Sequence, residues 1–142
     1  MTAEPRIFST DEADRALPLV RRIVLDLQSE YPRWREAVGR FELASVGHDP
    51  GAAESGELVA CQREVTERAE RISGYLTELD QVGCVFKGFE AGLVDFYSLR
   101  EDRLVFLCWR LGEARVTQWH ELDAGYAGRR PINQPSLTGS RS

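Results

Sequence analysis

The spacing of apolar residues between positions 13 and 41 constrains the fold more than any other feature of the chain. Apolar side chains recur there at alternating intervals of four and three: Ala13, Leu17, Val20, Val24, Leu27, Tyr31, Trp34, Val38 and Phe41. This spacing is typical of a helix that packs along a seam against another helix. Ser9 and Glu12 precede the seam with the separation of a capping box, which predicts that the helix begins there.

Two prolines, Pro18 and Pro32, lie within this predicted helix. A proline in a helix interior lacks the N–H that would donate to the preceding turn, and it costs about 3 kcal/mol. We therefore expect the helix to kink or break near each proline.

A second apolar pattern with the same spacing follows a loop and ends at Gly83. The loop, residues 45–56, is rich in turn-forming residues, and its His48 is interpreted as an unengaged side chain. The pattern occupies positions Leu58, Cys61, Val65, Arg68, Ile72, Tyr75, Leu79 and Val82. The two segments predict a long antiparallel helical hairpin, coiled-coil-like, over residues 9–83. Because two helices leave apolar surface uncovered, we expect a homodimer through the hairpin or a protein partner.

After Gly83 the pattern changes to a period of two. Four segments rich in β-forming residues follow: CVFKGFE, LVDFYSL, RLVFLCWRL and ARVTQWHEL. They predict a three- or four-stranded antiparallel β-meander, in which the first segment is either a strand or an extended lead-in. The expected fold is α+β, with one domain over residues 9–132, a lead-in at 1–8 and a disordered tail at 133–142.

The register of the meander decides which side chains can meet. The first hairpin pairs Asp95 with Cys108. A two-residue type II′ turn, predicted at residues 112–113, then directs His120 to the opposite face from Asp95. A bulge within residues 116–119 would instead bring His120 and Asp95 onto one face, and the sequence leaves that alternative open.

Asp95 lies between apolar residues in a predicted strand, where an unpaired charge is costly. An ion pair with Arg110 or Arg115 is the favoured interpretation, and a catalytic carboxylate is the alternative. His120 is interpreted as a hydrogen-bonded structural imidazole, with a metal ligand or a general base as the alternatives.

The stretch WHELDAGYAGRRP, residues 119–131, concentrates polar chemistry at the end of the β half. His120 and Glu121, together with Asp95, are the candidate catalytic residues. Small residues and guanidinium groups also make a candidate anion-binding loop from Gly125, Tyr126, Gly128, Arg129 and Arg130. The favoured interpretation of the two arginines is a clasp onto the acids of the second helix: Glu64, Glu67, Glu70 and Glu78.

Three widely spaced cysteines, Cys61, Cys84 and Cys108, include no CxxC pair. They are interpreted as small buried hydrophobic residues. We expect no metal and no cofactor, and His120 and Glu113 are the candidate ligands if a metal is bound.

The chain has a net charge of −5 over 142 residues, and its acidic and basic side chains are interspersed. This balance argues against a nucleic-acid partner and against an anionic membrane surface. The sequence shows neither a run of eighteen apolar residues nor an export signal, so we expect a cytoplasmic protein.

Four segments together resemble a bacterial family known as domain of unknown function 2203: FSTDEADRALPLVRRIV, GLVDFYSL, VFLCWRLGE and WHELDAGYAGRRPI. The resemblance covers residues 7–132 and is most specific in the C-terminal half. It implies a small bacterial cytoplasmic protein with a helical hairpin and a β half. It implies no activity and therefore no catalytic residues.

Two functions are compatible with these patterns. The favoured one is a non-enzymatic, oligomeric interaction or scaffold protein, because the helical spacing is strong and no catalytic motif is complete. The alternative is an enzyme, dependent on a metal or acting on a small anionic molecule, with its site in residues 120–130.

Overall fold

The computed structural model describes residues 5–48, 56–132 and 137–138. Two helices come first and six strands follow: α1 (Thr10–Ser45), α2 (Gly56–Val82), β1 (Cys84–Gly88), β2 (Leu93–Arg100), β3 (Arg103–Arg110), β4 (Gln118–Glu121), β5 (Arg130–Pro131) and β6 (Leu137–Thr138). The predicted α+β fold, a helical hairpin followed by an antiparallel sheet, is confirmed. Most of the predicted loop at 45–56 and, apart from β6, the predicted tail lie outside the described residues.

α1 begins at the predicted capping box and runs without a break to its end. Ser9 Oγ accepts from the Glu12 N–H at 3.0 Å, and Glu12 Oε1 accepts from the Ser9 N–H at 2.8 Å. Of the two outcomes expected at Pro18 and Pro32, a kink or a break, the break is absent, because the helix is continuous through both prolines. Both proline rings are exposed, and packing of the buried face of α1 offsets the loss of two backbone hydrogen bonds.

α2 ends where the sequence predicts, because the Gly83 N–H donates to the carbonyl oxygen of Leu79 at 3.1 Å and closes the last turn. Away from the sheet, the buried Glu30 carboxylate of α1 accepts from Arg68 Nη1 of α2 at 2.7 Å, and Arg68 Nε donates to Glu64 at 3.0 Å. Neither helix contains a stretch that is long and apolar enough to cross a bilayer.

The sheet is antiparallel and has the order β1-β2-β3-β4-β5, while β6 pairs with β2 beyond the end of β1. The short strands β5 and β6 are additions to the predicted meander. One face of the sheet packs against the helices and forms the core, whose larger members are Leu17, Ile23, Leu27, Phe96, Leu107, Trp109 and Trp119. Because side chains alternate along a strand, the residues between these core positions point to the opposite face.

β2 and β3 pair in the predicted register, with Asp95 opposite Cys108. β4 is offset by one residue from the prediction, so that His120 lies opposite Phe106. His120 therefore shares a face with Asp95 and Cys108, as the bulge alternative requires. Trp119, the preceding residue, points to the other face and into the core.

The offset arises because the chain does not turn directly from β3 into β4. Gly112 has a φ of +105° and is the third residue of the four-residue turn 110–113, whereas a type II′ turn at 112–113 requires it to be the second, so the predicted turn is wrong. Trp109 Nε1 donates to the carbonyl oxygen of Glu113 at 2.9 Å, and the Val116 N–H donates to Asp14 Oδ1 of α1 at 2.7 Å. These bonds hold an irregular segment before β4 and shift its register.

Candidate functional site

Three polar side chains meet on the sheet face that is turned away from the helices. Asp95 comes from β2, Cys108 from β3 and His120 from β4, three neighbouring strands. Their exposed fractions are only 2%, 1% and 2%. We call these three residues the polar cluster.

A pocket of about 260 Å³ opens above the polar cluster. β1 supplies one wall, and the segment that follows β4 supplies another. The lining residues outside the cluster are Lys87, Leu93, Leu122, Gly125 and Tyr126. The cluster therefore forms the floor of a concave, partly apolar site, the kind of place in which small molecules bind.

The imidazole of His120 is held by a hydrogen bond at each ring nitrogen. Nδ1 lies 2.7 Å from the backbone oxygen of Glu121, and Nε2 lies 3.0 Å from Asp95 Oδ2. Because a carbonyl oxygen can only accept, Nδ1 carries a proton and donates it. A further proton must lie between Nε2 and Oδ2, since two lone pairs cannot face each other at that distance. His120 and Asp95 thus share one proton.

The carboxyl group of Asp95 is the least satisfied member of the cluster. Burial raises its pKa above the usual range, and the charge and hydrogen bond of His120 only partly oppose this effect. Its second oxygen, Oδ1, is buried and accepts no hydrogen bond from a described residue. The predicted ion pair with Arg110 or Arg115 is wrong, because the partner of Asp95 is His120.

Cys108 is a protonated thiol at neutral pH. Burial is the main reason that its pKa rises to about 12, and the negative charge of Asp95 acts in the same direction. A nucleophilic cysteine needs the opposite, a lowered pKa beside a base. The raised pKa therefore argues against Cys108 as a nucleophile.

The polar cluster has three donor atoms that lie close enough together to be candidates for holding a metal ion. One nitrogen, one carboxylate oxygen and one sulfur lie within 4.8 Å of one another. Zinc and similar divalent ions accept this mixture of ligands. His120 is a ligand candidate from the sequence, whereas Cys108 is interpreted there as a hydrophobic residue, although the predicted register pairs it with Asp95.

Two other candidate residues are engaged elsewhere. Glu121, a candidate catalytic residue, pairs with Arg103 at 2.9 Å and contributes only its backbone oxygen to the site. Glu113, a candidate metal ligand, pairs with Arg129 at 2.8 Å. Neither carboxylate belongs to the polar cluster.

Arg129 supports the back of the site and does not clasp α2. Its Nη2 donates to both carboxylate oxygens of Glu113 at 2.8 Å and to the Cys108 carbonyl oxygen at 3.3 Å. Its guanidinium also lies 4.8 Å from the centre of the Tyr126 ring. The predicted clasp onto the acids of α2 is therefore wrong for Arg129. One of those acids, Glu64, pairs instead with Arg40 of α1 and with Arg68 of its own helix.

The predicted anion-binding residues are divided between two places. Gly125 and Tyr126 line the pocket. Gly128 packs so closely that an added Cβ would lie 2.6 Å from the Ala124 Cβ. Arg130 belongs to β5, with its guanidinium 5.3 Å from the centre of the Trp119 ring. The five residues therefore do not converge on one anion.

We expect Arg129→Ala to lower the free energy of unfolding by roughly 1–3 kcal/mol, because Glu113 and the Cys108 carbonyl lose a charged donor. Arg130→Ala is the matched control, since its exposed contact with Trp119 is worth about 0.5 kcal/mol. Urea denaturation at pH 7 measures both changes. Equal losses in the two variants would contradict the supporting role of Arg129.

No curated protein and no solved structure matches this chain significantly. The family model described as "Uncharacterized conserved protein (DUF2203)" matches residues 6–132. This match includes both helices, strands β1 to β5, the polar cluster and every residue that lines the pocket. The chain therefore belongs to the DUF2203 family.

Proposed function

We propose that this protein is a metal-dependent enzyme, which binds one divalent ion of the zinc type through Asp95, Cys108 and His120. The ion would face the pocket, where a small molecule binds. The observation that carries the proposal is the orientation of His120: its Nδ1–H is fixed by a backbone carbonyl, and its Nε2 points at a buried carboxylate.

The distances within the polar cluster suit a tetrahedral ion. With bonds of about 2.0 Å to nitrogen and oxygen and about 2.3 Å to sulfur, such an ion holds its ligands roughly 3.3–3.6 Å apart. Nε2 and Oδ2 are 3.0 Å apart, and no ligand atom is more than 4.8 Å from another. Side-chain adjustments of a few tenths of an ångström to about one ångström bring all three atoms to bonding positions.

The surroundings of His120 match those of a metal-binding histidine. Such a residue usually donates its other ring N–H to a carbonyl or carboxylate, which fixes the tautomer and the ring orientation. The bond from His120 Nδ1 to the Glu121 carbonyl oxygen does this. A His–Asp pair with a purely structural role needs no further donor atom beside it. Here the Cys108 sulfur also lies within 4.8 Å of the His120 nitrogen and the Asp95 oxygen.

The number of ligands favours a catalytic ion over a structural one. Structural zinc sites are closed by four protein ligands, while catalytic sites use three and leave one position for substrate or water. Three ligands on the floor of a pocket match the second arrangement. An ion there would act as a Lewis acid toward an oxygen atom of the bound molecule.

A second role, oligomerisation through the helices, is favoured by the exposed apolar side chains of α1. The α1 members of the main core cluster all lie between Ala13 and Leu27, and farther along the helix Ala37 is the one fully buried apolar residue. Leu25, Leu43 and Val46 are 51%, 76% and 77% exposed. A second hairpin packed along α1 would cover them, as the expected homodimer requires.

We expect untagged protein to bind one Zn²⁺ per chain, measured by native mass spectrometry with elemental analysis. Loss of a residue that only hydrogen-bonds to a metal ligand typically weakens metal binding about 10- to 100-fold. Cys108→Ala and His120→Ala each remove a ligand itself, so each should weaken zinc binding by more than that. Cys84→Ala is the matched control, because Cys84 is also buried and free but lies outside the cluster. Equal binding by all three variants, or no stoichiometric zinc in the wild type, would refute the site.

We also expect zinc binding to release about two protons per ion, one from the Cys108 thiol and one from the proton shared by Asp95 and His120. Since burial raises the pKa of Cys108 to about 12, its proton is present at neutral pH and must be displaced. The Kd should therefore fall with rising pH, by up to about 100-fold per unit between pH 6 and pH 8. Calorimetry in two buffers of different ionisation enthalpy counts the protons, and a value near zero would argue against these ligands.

For the second role, light scattering at micromolar concentration should give the mass of two chains. Leu25→Glu places a charge on the exposed face of α1 and should shift the equilibrium toward one chain. A mass of one chain for the wild-type protein would exclude the homodimer.

A further inference from the structure

Lys87 is the one cation among the residues that line the pocket, and it is the only lysine in the chain. It lies on β1, and its Nζ is 4.8 Å from the centre of the Phe106 ring. Its charge reaches the cluster, since it helps to lower the pKa of Asp95 against the larger effect of burial. Within the described part of the chain, however, no carboxylate comes within ion-pair distance of Lys87. Its ammonium group is therefore available to a ligand.

The charges around the site leave a surplus of one positive charge. With a divalent ion bound, the Asp95 carboxylate and the Cys108 thiolate cancel the charge of the ion, and His120 is neutral. Glu113 cancels Arg129. Among the residues that line the pocket, Lys87 then alone carries an uncancelled charge, so a ligand with a single negative charge would make the lining neutral.

The size of the pocket limits the ligand to a small molecule. Its volume is about 260 Å³. This volume is below the about 300–1,000 Å³ of pockets for drug-sized ligands. Leu93 and Leu122 add apolar surface to the wall.

We infer that the substrate of the proposed metal site is a small organic monoanion, whose charged group pairs with Lys87 and whose neutral oxygen reaches the open position of the ion. This inference rests on the proposed function. It places anion recognition on Lys87 of β1 and not on Arg129 or Arg130, because Glu113 already pairs with Arg129 and Arg130 does not line the pocket.

The experiment uses cobalt-loaded protein, because Co²⁺ replaces zinc and its visible absorption reports changes in ligation. The probes are glycolate and glycolamide, which have the same size and donor hydroxyl but differ by one charge. They are titrated at 0.15 M salt, where long-range attraction is largely screened. We expect glycolate to perturb the spectrum with a Kd about tenfold or more below that of glycolamide.

Lys87→Met tests whether this preference belongs to Lys87. The residue is exposed on β1, so we expect the fold and the affinity for cobalt to be retained. The preference for glycolate should fall to within about threefold. Arg63→Met is the control, because it removes an exposed cation on α2 outside the pocket and should leave the preference unchanged.

The two hypotheses fail in different ways. If cobalt binds but the probes bind equally, if neither probe binds, or if Lys87→Met keeps the preference, the monoanion inference is overturned and the metal site stands. If the wild-type protein shows no more cobalt absorption than Cys108→Ala, the metal site itself is refuted, and the inference falls with it.

Discussion

The one-residue offset of β4 determines which side of the sheet each functional side chain occupies. Side chains alternate along a strand, so this offset places Trp119 in the core and His120 beside Asp95. Two bonds hold the offset: Trp109 Nε1 to the Glu113 carbonyl oxygen, and the Val116 N–H to the Asp14 carboxylate of α1. Without them, a tight hairpin would bury His120 against the helices and leave the pocket without its imidazole.

The two faces of the sheet have different energetic roles. The face toward α1 is packed with apolar side chains, and their burial supplies most of the stability. The opposite face carries a buried carboxylate, thiol and imidazole, groups that contribute little to folding unless they are paired. Asp95 keeps one buried oxygen without a hydrogen bond even with His120 as a partner. A stable core on one side of the sheet allows such an unfavourable arrangement on the other, and an ion at the cluster would relieve it.

Sequence rules for neighbouring residues predicted the helix ends and the β2–β3 pairing correctly. They failed for the register of β4, which contacts between distant residues determine. The capping box at Ser9, the helix end at Gly83 and the pairing of Asp95 with Cys108 follow from short-range patterns, and all are confirmed. The register of β4 depends on the bond between Asp14 and Val116, which are 102 residues apart, so no turn rule could specify it. The same limit explains why Cys108 was interpreted as a hydrophobic residue. The predicted register already places the Asp95 carboxylate beside Cys108, but the third member of the cluster, His120, reaches them only through the offset of β4.

Some residues of the stretch 119–131 contribute side chains to the candidate site, and others hold the stretch in position. His120 supplies a ring, and the adjacent Glu121 carbonyl fixes its tautomer. Tyr126 lines the pocket, and Arg129 ties the segment to Glu113 and to the backbone of Cys108. Arg129 contacts the backbone carbonyl of Cys108, whose thiol belongs to the polar cluster. Arg129 therefore holds β3 and the pocket wall in one arrangement. The proposed metal site needs such fixed positions, because side chains that are already oriented bind an ion without further loss of entropy.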